Sequence, residues 1–449
     1  MGVDTGLIVS VSGIRGIVGE SLTPEAALLF ASALAGHVGG GAMVVSRDGR
    51  PSGEMLRHAV LAGLTSAGCA VHDLGIVPTP TVGLAVRRLN AAGGIQITAS
   101  HNPAPWNGLK LFGSDGRVLS AEEGRKVQAR FESGEVRRAT WNAIGTPRDE
   151  RQAAQWHCQR VLECIDAPRI RAAHLSAFLD ANGGAGGPLG RRLLEALHVE
   201  TTWRGGESDG VFLHEPEPTA DNLRDVGPLV ASAKADIGFA LDPDADRLAL
   251  LDETGRYIGE ELTLALAVQF RLQHERGSVV VNMSTSRVSE DIAARHGCVC
   301  HRSAVGEANV ADKMLEVGAS IGGEGNGGVL DPRVGLVRDP FIGMGMILNL
   351  MAETGRKLSE LVAELPVYQI VKDKYTVPRE SLPELYRALT RRWPEAKIDR
   401  LDGLRLDWPT RWLHVRPSNT EPIVRVIAEA PQASEANDLC RAVGALLQH

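Results

Sequence analysis

Aromatic residues are scarce: Phe, Trp and Tyr make up 4% of a 449-residue chain that is 43% hydrophobic. Its cores must therefore be filled by Ala, Val, Leu and Ile, as in layered α/β folds. Long apolar runs are missing too. None reaches the ~18 residues of a membrane span, and the opening MGVDTGLIVSVSG has no basic stretch ahead of an apolar one. Neither a membrane nor secretion is expected, which leaves a cytoplasmic location. Basic excess is also lacking. The net charge of −7 argues against the positive face that nucleic-acid backbones require. The six cysteines are scattered, and the one close group, Cys298-Val299-Cys300-His301, alternates after a glycine as a strand does, unlike a zinc knuckle.

Glycine is abundant, at 50 residues, and suits many tight strand-to-helix turns. The length predicts about three or four domains. A strand, polar loop, amphipathic helix, glycine and second strand can be read in AMVVSRDGRPSGEMLRHAVLAGLTSAGCAVHDLG. The plan recurs in LSAFLDANGGAGGPLGRRLLEALHVETT and in GSVVVNMSTSRVSEDIAARHGCVCHRSAVG. Such units build mixed, mostly parallel sheets, and their wide spacing predicts three tandem related α/β domains, not a solenoid. From Tyr368 the order changes to strand, helix, three strands and a last helix, which predicts a C-terminal α+β domain with an antiparallel sheet. The expected division is 1–147, 148–254, 255–367 and 368–449, with the domains arranged around a central cleft.

Four loops carry chemistry. In GGIQITASHNP an apolar strand stops on Ser100, which places a hydroxyl at the carboxyl edge of a sheet where α/β folds bind ligands. The alternative is an Asx or ST turn before Pro103, and Ser100 lacks the G-x-S-x-G frame of a hydrolase nucleophile. In IGFALDPDADRLALLD a strand delivers Asp242, Asp244 and Asp246, whose mutual repulsion calls for a hard cation such as Mg2+. An EF-hand fails because Arg247 stands where that loop needs glycine, and a solvated acidic turn is the plain alternative. IGGEGNGGVLDP sets Glu324 and Asn326 between glycines, an acceptor and a donor able to take paired sugar hydroxyls, or simply a glycine-rich turn. HVRPSNTEPIVRVIAEA brings Arg416, Ser418, Asn419, Thr420 and Arg425 together, either as a donor set for a phosphate dianion or as an ordinary β-turn.

Taken together, SGIRG (12–16), TASHNP, NGLK, DPDADR, GGEGNGG and RPSNTEP resemble, in order and spacing, the motifs of the α-D-phosphohexomutases over essentially the whole chain. The resemblance implies that Ser100 is a phosphorylated serine that gives its phosphoryl group to a hexose phosphate and takes one back. The implied route interconverts hexose 6-phosphate and hexose 1-phosphate through a 1,6-bisphosphate, which also serves as activator. Asp242, Asp244, Asp246 and a phosphoserine oxygen would hold one Mg2+ per site. Glu324 and Asn326 would grip the sugar, and Arg416, Ser418, Asn419, Thr420 and Arg425 the phosphate that is not reacting. Arg15, Lys110 and Arg247 match basic positions near the transferring group, and His101 follows the serine as in the family.

Pro243 replaces a common glycine, and Asn326 and Gly328 stand where serine and histidine are usual. The Glu-Gly-Asn-Gly-Gly form resembles phosphoglucosamine mutases and phosphomannomutase/phosphoglucomutases, and the amino sugar is the expected substrate. Two other classes compete: a phosphatase with an aspartate nucleophile, suggested by Asp242-Pro243-Asp244, and a non-catalytic sugar-phosphate-binding protein. Oligomeric state is not encoded in these motifs.

Overall fold

The computed structural model describes residues 6–10, 12–418 and 423–447. Its strands form four sheets. The first has seven strands in the order Ile8–Ser10, Gly13–Ile17, Trp106–Gly113, Gly93–Ile97, Ala42–Arg47, Ala70–Ile76 and Pro147–Asp149. The second has Leu248–Leu251, Ile237–Leu241, Ser176–Asp180 and Glu200–Arg204, and the third Gly328–Leu330, Ile321–Glu324, Val279–Asn282 and Cys300–Ser303.

A common plan repeats in these three sheets. Two parallel strands linked by a crossover helix are joined by a third parallel strand, which turns back into an antiparallel partner. The turn between that third strand and its partner is TASHNP in the first sheet, DPDAD in the second and the glycine-rich sugar loop in the third. Three of the four chemical loops are therefore one topological position used three times. Each lies at the carboxyl end of a parallel strand, where backbone donors and side chains face outward from the sheet.

The fourth sheet is wholly antiparallel, in the order Gln369–Thr376, Ile423–Ala430, Trp412–Pro417, Leu404–Asp407 and Lys397–Asp399, with the helices Leu382–Arg392 and Ala433–Leu447 packed on it. The α/β and α+β classes expected from the sequence are those observed. The Lys397–Asp399 strand and the N-terminal Ile8–Ile17 hairpin are additions that the sequence reading did not contain. Cys298 and Val299 precede the strand that begins at Cys300.

Packing divides the molecule unevenly. The second and third units share one core, in which Leu179, Leu193 and Phe239 join Leu264, Val279, Phe341 and Ile347. Helix Pro340–Thr354 is buried on every side from Pro340 to Met351, as a helix apolar all round must be. Its N-cap Asp339 accepts from the amides of Phe341 and Ile342. The same carboxylate lies 2.8 Å from His157 Nε2, and His157 Nδ1 lies 2.8 Å from Thr81 Oγ1. One buried polar chain thus joins the first three units. No helix among the described residues is long and apolar enough to cross a membrane.

Candidate active site

Ser100 is buried, with φ of 51°. That left-handed conformation costs a non-glycine residue roughly 1–2 kcal/mol, so the surroundings must enforce it. Arg50 does so. It is itself buried and paired with Asp48 at 3.1 Å. Its guanidinium donates to the carbonyls of Ser100 (2.7 Å), Asn102 (2.6 Å) and Pro103 (2.9 Å). Asp48 also accepts from Thr98 Oγ1 at 2.7 Å, and Thr98 Oγ1 accepts from the Ser100 amide at 2.8 Å. The serine loop is thereby stapled to the neighbouring parallel strand.

Asp242, Asp244 and Asp246 are fully buried, and one oxygen from each falls within 4.8 Å of the others. The turn is closed by the amides of Asp246 and Arg247, which both donate to Asp242 Oδ1 at 3.0 Å. Thr79, at the start of a helix in the first unit, donates its hydroxyl to Asp244 Oδ2 at 2.6 Å. Lys110 lies 3.1 Å from Asp244 and 2.6 Å from Asp246. Ser100 Oγ is 3.3 Å from Asp242 Oδ2, across the boundary between units. The hydroxyl and the acidic triad, 142 residues apart in sequence, form one site.

Its electrostatics are those of a cation-seeking cluster. Burial, then Asp246 and Asp244, raise the Asp242 carboxyl well above its ordinary range. Burial would raise Asp246 as well, yet Arg338, Lys110 and Arg247 hold it low. Lys110 is pushed up by Asp244 and Asp246 against the opposing effect of burial. Asp244 Oδ1 and Asp246 Oδ1 are buried with no hydrogen-bond partner among the described residues. Orphaned carboxylate oxygens of this kind are costly unless a cation completes them, and an all-oxygen set suits a hard divalent metal. The triad therefore fits a metal ion.

His101 Nδ1 lies 3.3 Å from Ser100 Oγ. Burial, reinforced by Arg247 and Arg15, pushes its pKa down to about 2, so the imidazole is neutral. Arg15 donates to Asn102 at 3.4 Å, and Arg247 to Glu217 at 3.0 Å.

The sugar loop joins this cluster through Arg338, a residue the sequence reading passed over. Its guanidinium donates to Glu324 Oε2 at 2.9 Å and to Asp246 Oδ2 at 2.6 Å, while its amide donates to Glu307 at 2.8 Å. Glu324 Oε1 accepts from Asn282 Nδ2 at 2.8 Å and from the Gly306 amide at 3.1 Å. Asn326 Oδ1 is buried and without a partner among the described residues. Gly328 explains how Arg338 fits: a Cβ there would sit 2.3 Å from Arg338 Cδ. The arginine stem occupies the space that a side chain at 328 would fill.

Arg416 and Ser418 are buried in the fourth domain, and Arg425 faces Arg416 across the strand pair. Arg416 Nε lies 3.0 Å from Asp402. Asn419 and Thr420 lie outside the described residues.

Asp48, Arg50, Arg338, Glu307, Asn282 and Asp402 are the site residues that sequence reasoning missed. Asp48 and Arg50 had a signal, since SRDGRPSG follows a parallel strand of the first repeat as TASHNP follows another. Arg338 had none, because it lies 14 residues from Glu324 in an unremarked stretch.

Comparison with known proteins covers the chain end to end. Models of the phosphoglucomutase/phosphomannomutase alpha/beta/alpha domains I, II and III match residues 6–138, 155–255 and 259–368, and that of the C-terminal domain matches 368–445. A probable phosphoglucosamine mutase of Methanopyrus kandleri is 37% identical over 95% of both chains. A phosphoglucomutase/phosphomannomutase of Thermococcus kodakarensis is 37% identical over 96% of both. Among solved structures, a phosphoglucomutase/phosphomannomutase family protein of Burkholderia thailandensis superposes with a TM-score of 0.86 at 27% identity, covering 97% of this chain and 95% of its own.

Proposed function

The chain belongs to the phosphoglucomutase/phosphomannomutase family and is a phosphohexomutase, an intramolecular phosphotransferase; from this premise we propose the residue roles and the substrate. Ser100 carries the phosphoryl group. Its P–Oγ bond breaks as the free hydroxyl of a hexose monophosphate attacks, which gives a 1,6-bisphosphate. The bisphosphate turns round, and its other phosphoryl group returns to Ser100 Oγ. The contact that best supports this reading is Ser100 Oγ at 3.3 Å from the buried carboxylate triad.

Asp242, Asp244 and Asp246, with an oxygen of the phosphorylated serine, would hold one Mg2+; bound there, the ion neutralises charge on the transferring group and orients its oxygens. Lys110, Arg247 and Arg15 supply fixed positive charge where the phosphoryl oxygens gain negative charge, which is most of what phosphoryl transfer asks of a protein. The attacking hydroxyl loses a proton and the freed Ser100 Oγ gains one, and neutral His101 stands 3.3 Å from that oxygen as a hydrogen-bond partner. Glu324 and Asn326 orient the sugar. Arg416, Ser418 and Arg425, with Asn419 and Thr420, next in sequence after Ser418, hold the phosphate that is not reacting and can take either one in turn.

For the substrate we propose glucosamine phosphate, on the Glu-Gly-Asn-Gly-Gly loop and the names of the relatives. Phosphomannomutase/phosphoglucomutase activity is the second reading, favoured by a relative of equal identity. The test is phosphorus NMR with Mg2+, glucose 1,6-bisphosphate and each hexose 1-phosphate, in the unaltered protein and in Ser100→Ala. Expected is isomerisation, fastest by kcat/KM for the amino sugar, with a loss of at least roughly a thousandfold in the variant, about 4 kcal/mol of barrier. Release of inorganic phosphate that survives the substitution would instead mark a phosphatase.

A further inference from the structure

Asp402 stands in the turn between the strands Lys397–Asp399 and Leu404–Asp407 of the C-terminal domain. One of its oxygens, Oδ2, does two things. It lies 3.0 Å from Arg416 Nε, and it accepts the amide of Val305 at 3.0 Å, a residue of the third unit. The next amide, that of Gly306, donates to Glu324 Oε1 at 3.1 Å. A path of two hydrogen bonds and one ion pair therefore runs from a phosphate-clamp arginine to the carboxylate of the sugar loop.

The turn is built to aim that carboxylate. Gly403 has φ of 79°, and a Cβ on it would sit 2.4 Å from the Val415 carbonyl and 2.9 Å from Arg416 Cα, so the turn presses directly onto the arginine's strand. The Asp402 carbonyl is 2.6 Å from His414 Nε2, and His414 Nδ1 is 2.9 Å from Ser284 Oγ of the third unit. The two contacts fix the tautomer: Nε2–H donates to the carbonyl, and the serine hydroxyl donates to Nδ1. Asp402 is thus held by its main chain while its side chain serves two domains.

We propose that Asp402 is a positioning residue through which docking of the C-terminal domain completes the sugar grip, so that phosphate capture by Arg416 and sugar capture by Glu324 act as one event. The bond to Val305 crosses between domains and exists only while they are docked. Undocking removes the acceptor of Val305 and frees the segment that orients Glu324. This proposal rests on the mutase reading, in which Arg416 and Glu324 touch opposite ends of the substrate.

Asp402→Asn and Asp402→Ala separate the two functions of the carboxylate, since asparagine keeps an acceptor for Val305 but loses the ion pair. Hydrogen exchange of the 303–307 segment without ligand should match the unaltered protein in the asparagine variant and be faster in the alanine variant. In steady-state kinetics the alanine variant should raise KM for hexose 1-phosphate by about tenfold or more, the scale of losing a charge-assisted hydrogen bond, and the asparagine variant by less. The decisive measurement is non-additivity: Glu324→Gln should raise KM several-fold less in the Asp402→Ala background than in the unaltered protein. Equal penalties in both backgrounds, or exchange unchanged by Asp402→Ala, overturn the proposal while leaving the mutase reading intact. Absence of hexose phosphate turnover by the unaltered protein overturns both.

Discussion

At the scale of single residues, the serine loop owes its shape to Arg50. Arg50→Met leaves Asp48 buried without its cation and takes a donor from three loop carbonyls, of which that of Pro103 keeps the Trp106 amide. Removing one partner of a buried pair costs about 3–5 kcal/mol, so the urea midpoint should fall. The rate of Ser100 phosphorylation by sugar bisphosphate should fall with it, and Arg50→Lys should recover only part of either, because three donors on one nitrogen cannot span Asp48 and three carbonyls as the guanidinium fork does. A second substitution addresses the sugar loop. Gly328→Ala places a methyl group against the Arg338 stem and should displace the guanidinium from Glu324 and Asp246. We expect KM for the sugar phosphate to rise about tenfold and the melting temperature to fall, since two buried carboxylates lose their cation; an unchanged KM would mean that Arg338 does not orient Glu324. Residue by residue, the sequence was most legible where chemistry is concentrated in short motifs. Ser100, Lys110 and the three aspartates were each readable from a local run, and the structure brings them into contact. Arg338, Asn282 and Asp402 were not, because each acts by reaching across to a loop distant in sequence, and nothing in its own neighbourhood records what it will meet.

At the scale of elements, the three α/β sheets place their chemical loops at one equivalent hairpin. The strands that end at Ile97 and Leu241, and Leu248–Leu251, were recognisable as apolar runs, whereas Ile321–Glu324 is half glycine and gave no such signal. Trp106–Gly113 carries Lys110 in a strand whose outward residues are as buried as its inward ones, so no alternation advertises it. The C-terminal sheet was the most readable element, since its strands alternate and its turns are marked by Gly, Asp and Pro. Its docking onto the third unit should be acid-sensitive. Burial, helped by Arg405 and Arg416 and opposed by the contacts with Asp402, lowers His414 from 6.5 to about 4. The docked state therefore keeps this imidazole neutral, whereas an exposed one takes up a proton below about pH 6.5. Stability from this group is complete above that pH and is lost as the pH falls toward 4. Melting temperature followed from pH 7 to pH 4 should drop, and His414→Gln should start lower but fall less steeply. Parallel slopes for the two proteins would remove His414 from the account.

At the scale of the whole molecule, the shared core makes the second and third units inseparable, while the C-terminal domain has a core of its own. A chain ending at residue 366 should fold and melt cooperatively; one ending at 255 exposes half of a common core and should be insoluble or protease-sensitive. Circular dichroism melts and limited proteolysis of the two truncations test this, and a stable 1–255 fragment would show that the cores are independent. Sequence periodicity gave four units but could not show this fusion, because an apolar helix face looks the same whichever domain it packs on. The repeated hairpin has one more implication. Its connections shrink along the chain, spanning residues 98–105, 242–247 and 325–327. The first two are long enough to be remodelled by insertion or deletion. The third offers a single side chain, Asn326, between two glycines. Divergence in which sugar is accepted cannot proceed through loop length there and must be borrowed from outside the loop. Any redesign of substrate preference would therefore begin at positions such as 328 and 338, altered as a pair.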